Sequence, residues 1–100
     1  MTNVLLVCSG GMSSAIVEKA LVNEAKSQGK EINVKAIGSG IVREELDNNK
    51  YDVLLVAPQV KHMFNSFKQI ADDFNIPTKD IAPREYSPLG SKALLDKILN

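Results

Sequence analysis

Short apolar runs alternate along this chain with longer stretches in which apolar residues recur every three or four positions. Val4 to Val7 and Val53 to Ala57 are apolar at every position, the pattern of central strands in a parallel sheet, which are covered on both faces. Ile32 to Ile37 is different. There Asn33 and Lys35 interleave with Ile32, Val34 and Ala36, which predicts a strand at or near an edge. A fourth, short strand is expected over Lys79 to Ala82, between Pro77 and Pro83.

Helical spacing fills the gaps. Ile16, Val17, Ala20, Leu21 and Ala25 predict a first helix with an apolar stripe, and Gly29 is placed to end it. Val42 and Leu46, set among Arg43, Glu44, Glu45 and Asp47, predict a short second helix before Tyr51 and Asp52 lead into the third strand. Phe64, Phe67, Ile70, Ala71 and Phe74 form the clearest stripe, and Leu94, Leu95, Ile98 and Leu99 predict a last helix. These stripes are read as core.

Strands and helices in strict alternation with short links imply an α/β fold: right-handed crossovers and a parallel sheet with helices on both faces. The strand order 2-1-3-4 puts the polar second strand at an edge and the two most apolar strands side by side. No linker or repeat interrupts the pattern, so a single domain over residues 1–100 is expected. Ligands of such sheets bind beyond the carboxyl ends of the strands, at the switch point between the first and third. The links there are Gly38 to Ile41, Pro58 to Val60 and Pro83 to Pro88, together with the segment after Val7.

That segment holds the chain's single cysteine. Cys8 stands where the first apolar run stops and Ser9-Gly10-Gly11-Met12-Ser13-Ser14 begins. A turn between a strand and a helix gathers backbone N–H groups and the positive helix terminus around whatever occupies it, which favours both a thiolate and a phosphate. Gly10 and Gly11 allow close backbone approach, and Ser9, Ser13 and Ser14 add hydroxyl donors. Cys8 is therefore a candidate nucleophile and Ser9 to Ser14 a candidate phosphate-binding loop; the alternative is an inert cysteine buried at a strand end.

Composition narrows the setting. Twelve basic residues balance twelve acidic ones with no basic block, which argues against a nucleic-acid or anionic-membrane surface. One cysteine forms no internal disulfide, and neither a secretory leader nor a bilayer-length apolar stretch is evident, so a cytoplasmic protein without membrane insertion is expected. No cluster suggests a metal, and no cofactor is expected.

The cysteine phosphatase loop has an arginine six residues after its cysteine. Here that position is Ser14, and the nearest basic residue downstream is Lys19, more than a turn inside the helix. The bidentate clamp on a transferring phosphoryl group is missing. Asp72, Asp73 and Asp80 have no motif that marks them as an acid for a leaving alcohol. Such a site should hold phosphate and hydrolyse phosphoesters poorly.

The run Val4-Leu5-Leu6-Val7-Cys8-Ser9-Gly10-Gly11-Met12-Ser13-Ser14, with Ala57-Pro58-Gln59-Val60 after the third strand, resembles the lactose/cellobiose class of the IIB component of the bacterial sugar phosphotransferase system. The resemblance covers nearly the whole chain and is most specific at the cysteine loop. It implies a flavodoxin-like fold, similar to low-molecular-weight cysteine phosphatases. It also implies that Cys8 takes a phosphoryl group from a phosphohistidine on a IIA partner and passes it to a sugar bound by the membrane IIC partner, with cellobiose-like β-glucosides the expected substrate class. A monomer between encounters is expected.

Other residues carry weaker expectations. Gln59 could reach the cysteine loop with an amide donor, or be a solvated loop residue. Tyr86, between Pro83 and Pro88, falls where the family often has a tyrosine, with loop packing as its alternative role. His62 reads as a surface residue and Gly38-Ser39-Gly40 as a turn. Met12, with side chains from Val60 to Met63, could form a docking patch around the cysteine, or fold back onto the first helix. Two other classes stay open: a small cysteine-dependent phosphatase, which lacks its arginine, and a non-catalytic phosphate-binding module of flavodoxin type, which lacks an evident stacking aromatic in its loops.

Overall fold

In the computed structural model, which describes residues 1–9 and 13–99, the first apolar run lies within the strand β1 (Thr2–Cys8). It is joined by β2 (Ile32–Gly38), β3 (Val53–Val56) and β4 (Thr78–Asp80), all parallel, in the order β2-β1-β3-β4. The two runs without polar residues are the two inner strands: Val4 to Cys8 and Val53 to Ala57 are buried throughout. In β2, Ile32 and Val34 are buried while Asn33 and Lys35 are exposed, which is the one-sided burial an edge strand allows.

The fourth strand lies earlier than the sequence suggests. Thr78 to Asp80 pair with Leu54 to Val56, and Ile81 then gives its N–H to the Val56 carbonyl at 2.9 Å as the chain leaves the sheet. Lys79 to Ala82 cannot all pair, because β3 ends at Val56 and Ala82 must be extended ahead of Pro83, whose ring opens a 3-10 turn.

The helices are α1 (Ser13–Ser27), α2 (Val42–Asn48), α3 (Phe64–Asp73) and α4 (Ser91–Leu99). α1 packs with α4 and α2 with α3. Because the chain leaves β1 toward β2 and then crosses back to β3, right-handed crossovers put these pairs on opposite faces. The buried row of α1 is Val17, Leu21 and Ala25. Ile16 does not belong to it: about 100° around the helix from Val17, it is 57% exposed. In α3, Phe67 and Ala71 are buried and Phe64, Ile70 and Phe74 flank them, partly covered.

Two helices end in left-handed residues. Gly29 (φ 73°) closes α1, with Lys30 N–H on the Ala25 carbonyl at 2.8 Å and Gly29 N–H on that of Lys26 at 3.0 Å. Asn75 (φ 61°) does the same for α3, through Ile76 N–H to Ala71 and its own N–H to Asp72.

Glu45, which the sequence groups with the polar side of α2, is only 8% exposed. Its carboxylate accepts from the Tyr51 hydroxyl at 2.6 Å, Asn49 Nδ2 at 2.9 Å and Lys35 Nζ at 3.1 Å, tying β2, α2 and the start of β3 together. The bonds from Tyr51 and Lys35 hold Glu45 below its ordinary carboxylate value, while burial beside that carboxylate pushes the Tyr51 phenol up. A depressed carboxyl contributes stability above its unfolded value and loses it as pH falls through the folded one. The urea midpoint should therefore drop as pH is lowered below 4.5, the ordinary value for Glu, and Glu45→Gln should flatten that limb. An unchanged acid limb in the variant would show that Glu45 is not a source of it.

Candidate active site

Each strand but one hands its chain to a short turn at the carboxyl edge: Ser39–Ile41 after β2, Pro58–Met63 after β3, Pro83–Glu85 after β4. β1 instead passes toward α1, and its last residue, Cys8, lies opposite Gly38 of β2. On its other side Ala57 gives its N–H to the Val7 carbonyl at 3.0 Å. Cys8 thus stands at the crevice between the two directions of chain progress, where α/β sheets bind ligands.

Its side chain is only 3% exposed. Sγ lies 3.6 Å from the Ile37 carbonyl oxygen, to which a thiol there donates. Nucleophilic attack requires that hydrogen to leave, because the thiolate is the reactive form. Ser9 follows as an exposed bend. Gly10, Gly11 and Met12, three of the expected phosphate-binding positions, lie outside the described residues. Ser13 and Ser14 are the first two residues of α1, so the helix begins five residues after Cys8 and brings its terminal N–H groups to this end of the sheet.

Gln59 belongs to the turn after β3, is exposed, and makes no hydrogen bond to a described residue. Its amide is free to meet a ligand. Tyr86 ends the turn after β4; it is partly buried against the core and its hydroxyl is buried, so packing is part of its role. His62 is exposed, as expected. Of the patch expected from Met12 with side chains of Val60 to Met63, Met12 lies outside the described residues, Val60 is 4% exposed and Met63 packs partly against the core.

Sequence reasoning missed Glu85. Its carboxylate accepts the Ala82 N–H at 2.9 Å and Lys97 Nζ at 2.7 Å, and Lys97 also reaches the Asp80 carbonyl at 3.1 Å, so the turn after β4 is clamped to α4. Burial pushes the Glu85 carboxyl up, but Lys97, the Ala82 N–H and Arg84 outweigh it and hold it below its ordinary value. A glutamate three positions after a helix-entry residue is half of a capping box, which is the signal that was available. Lys61 and Arg84 were also passed over. They lie in the turns after β3 and β4, and neither belongs to an ion pair among the described residues. A recess of about 310 Å³ is lined by Lys61, Phe64 and Asp80 at this edge. A larger one of about 570 Å³, lined by Tyr51, Asp52, Phe74 and Ile76 among others, lies at the amino ends of the strands and away from Cys8.

Comparison with known proteins bears on this arrangement. The profile of the family described as PTS system, Lactose/Cellobiose specific IIB subunit matches residues 3–97. The chain is 28% identical over 100 residues to the PTS system oligo-beta-mannoside-specific EIIB component of Bacillus subtilis (strain 168), covering all of this chain and 95% of that one. It is 35% identical over 75 residues to the PTS system lactose-specific EIICB component of Streptococcus mutans serotype c, where the match takes in 75% of this chain and only 13% of that much longer protein. The lactose-specific IIB component domain of Streptococcus pneumoniae superposes with a TM-score of 0.82 at 21% identity, covering 99% of this chain and 98% of that one. The cellobiose-specific phosphotransferase IIB component of Borrelia burgdorferi superposes with a TM-score of 0.76 at 28% identity, covering 99% of this chain and 89% of that one. The strand order is the one expected, and the fold is the flavodoxin-like one, shared with the low-molecular-weight phosphatases, that the resemblance implies. No helix among the described residues is long and apolar enough to cross a membrane. The chain belongs to the lactose/cellobiose-specific IIB family of the sugar phosphotransferase system, and its role is that of a phosphotransferase component in sugar phosphotransfer.

Proposed function

We propose that Cys8 is the phosphoryl carrier of this component. The observation that carries the reading is the position of the one cysteine, at the carboxyl end of the inner strand β1 with α1 opening five residues later. In the first step the sulfur, having lost its hydrogen, attacks phosphorus of a phosphohistidine on a IIA protein. The S–P bond forms, the N–P bond breaks, and the imidazole leaves with the electron pair. In the second step a hydroxyl oxygen of a sugar held by a IIC protein attacks phosphorus, the S–P bond breaks, and the thiolate returns while the hydroxyl proton goes to a base or solvent.

The chain's own part is to hold the sulfur between these encounters and to keep water from competing. Ser14 at the arginine position of a phosphatase suits that task, since a site without the guanidinium fork stabilises attack by water poorly. Ser9 to Ser14 would receive the phosphoryl oxygens, and Gln59 would add an amide donor from the neighbouring turn. The sugar we propose is a β-linked disaccharide of the cellobiose type, in keeping with relatives named for lactose, cellobiose and oligo-β-mannosides. The chain acts as a monomer that meets the two partners in turn.

Incubation with phosphoenolpyruvate, the general phosphotransferase proteins and a phosphorylated IIA should add one phosphoryl group to the intact chain, seen by mass. A small aryl phosphate should be turned over no faster than in buffer. Turnover of the aryl phosphate, with no gain of mass from IIA, would replace the carrier by a small cysteine phosphatase.

A further inference from the structure

The recess of about 570 Å³ at the amino ends of the strands has no part in the chemistry at Cys8. Its volume falls in the range of sites that enclose small molecules, about 300–1,000 Å³. Leu46, Tyr51, Phe74 and Ile76 supply its apolar surface. Leu46 is buried, and the other three pack on the core while staying partly uncovered. The rim is polar, with Asp47, Asn48, Lys50 and Asp52 all exposed.

The walls are fixed before anything binds. The Tyr51 hydroxyl is held by Glu45 at 2.6 Å, and Asp52 makes two bonds to the Asn3 backbone, each of 2.7 Å. Asn49 gives its N–H to the Glu45 carbonyl at 3.0 Å and its Nδ2 to the carboxylate at 2.9 Å. On the α3 side the left-handed Asn75 sets Phe74 and Ile76 about a closed turn, with the Ile76 N–H on the Ala71 carbonyl at 3.2 Å. Walls already ordered lose little entropy when the recess is filled.

The polar groups left open there are mostly acceptors. The carbonyls of Leu46, Asp47 and Asn48, at the end of α2, accept no hydrogen bond among the described residues, and the Asp47 and Asn48 side chains have no partner among them. Asp52 spends one carboxylate oxygen on Asn3 and keeps the other. Two of the charged lining residues are acidic, Asp47 and Asp52, against the single basic Lys50. What the recess lacks is donors and positive charge.

We infer that this recess binds a small organic cation, an ammonium or guanidinium group carried on an apolar or aromatic body. The body rests on Tyr51, Phe74 and Ile76, where aromatic surface also attracts the charge. The cationic N–H groups meet Asp47, Asp52 and the open carbonyls, as charge-assisted hydrogen bonds. An anion of the same shape is repelled by those groups, and a neutral polyol leaves the excess negative charge unmet. The inference goes beyond the relay and does not depend on it, since Cys8 ends β1 at the other edge of the sheet.

The test is a titration of the isotope-labelled chain with phenethylammonium chloride, followed by amide shifts, beside phenethyl alcohol, hydrocinnamate and cellobiose. The cation should move amides of residues 46–52 and 74–76 along a saturable curve with a dissociation constant of about 1 mM or tighter. The alcohol and the anion should each bind at least about fivefold more weakly. Asp47→Asn with Asp52→Asn should weaken the cation about fivefold and leave the alcohol within about twofold of wild type. An asparagine oxygen at position 52 can still accept the Asn3 N–H, and a urea melt checks that the double variant is folded. Asp47→Asn alone touches no internal partner and should weaken the cation about twofold. Equal binding of cation and alcohol would overturn the inference and leave an unselective apolar hollow. So would saturation by cellobiose in place of the cation, shifts confined to the carboxyl edge, or no saturable shift up to about 20 mM.

Discussion

Cys8→Ser should fold like the wild type and carry no phosphoryl group after incubation with phosphorylated IIA. The two side chains differ by one atom and are close in size, so the packing around position 8 changes little. Stability should stay within about 1.5 kcal/mol of wild type, the range of near-isosteric core exchange. Reactivity is another matter, because a hydroxyl is scarcely ionised at neutral pH where a thiol is partly so. Intact mass and urea unfolding on the same sample read both effects. A serine variant that still gains mass from IIA would move the carrier role off Cys8, and one that fails to fold would return the residue to the inert core.

The second large effect is expected at Gly90. A methyl group there would meet Glu85 Cα at 2.6 Å, the Arg84 carbonyl oxygen at 2.7 Å and Glu85 carbonyl carbon at 2.9 Å. All three are backbone atoms, so no side chain can rotate away and the two turns after β4 must part. Gly90→Ala should cost about 1–3 kcal/mol, as overpacking does, seen as a lower urea midpoint at unchanged slope. Gly40→Ala is the matched control. Nothing lies within 4 Å of the Cβ it would add and its φ is outside the left-handed region, so it should stay within about 0.5 kcal/mol of wild type. Equal effects of the two would show that the contact of the turns is not what Gly90 serves.

What could be read from the sequence, and what could not, divides along a physical line. Val4 to Val7 of β1 and all of β3 were legible because burial on both faces leaves no polar position there, and β2 because burial on one face leaves alternate positions polar. Cys8 was legible as a candidate because the junction of a strand with a helix is a local feature. The rest depended on partners far along the chain. Ile16 looks like stripe until the direction of α1 across the sheet is known. Glu45 and Glu85 look like solvent-facing carboxylates until Tyr51, Lys35 and Lys97 arrive beside them. β4 could be misplaced because only the end of β3 decides which residues pair. Asn75 as a helix terminator has no apolar pattern behind it, and its left-handed φ is available to asparagine but not demanded by it.

On the proposed relay, the bond from Cys8 Sγ to the Ile37 carbonyl would be affected by a phosphoryl group on the sulfur. A phosphoryl group on sulfur takes the place of the hydrogen that this carbonyl accepts, and it sets anionic oxygens beside a group whose own dipole is negative at oxygen. Ile37 must then find another donor or turn aside. It is the residue before Gly38, at the end of a strand that has a neighbour on one side only, and the turn that follows carries Ile41. On the proposed relay, the edge strand would register whether Cys8 carries a phosphoryl group, and the charge on the sulfur would be felt in the backbone that leads to Ile41.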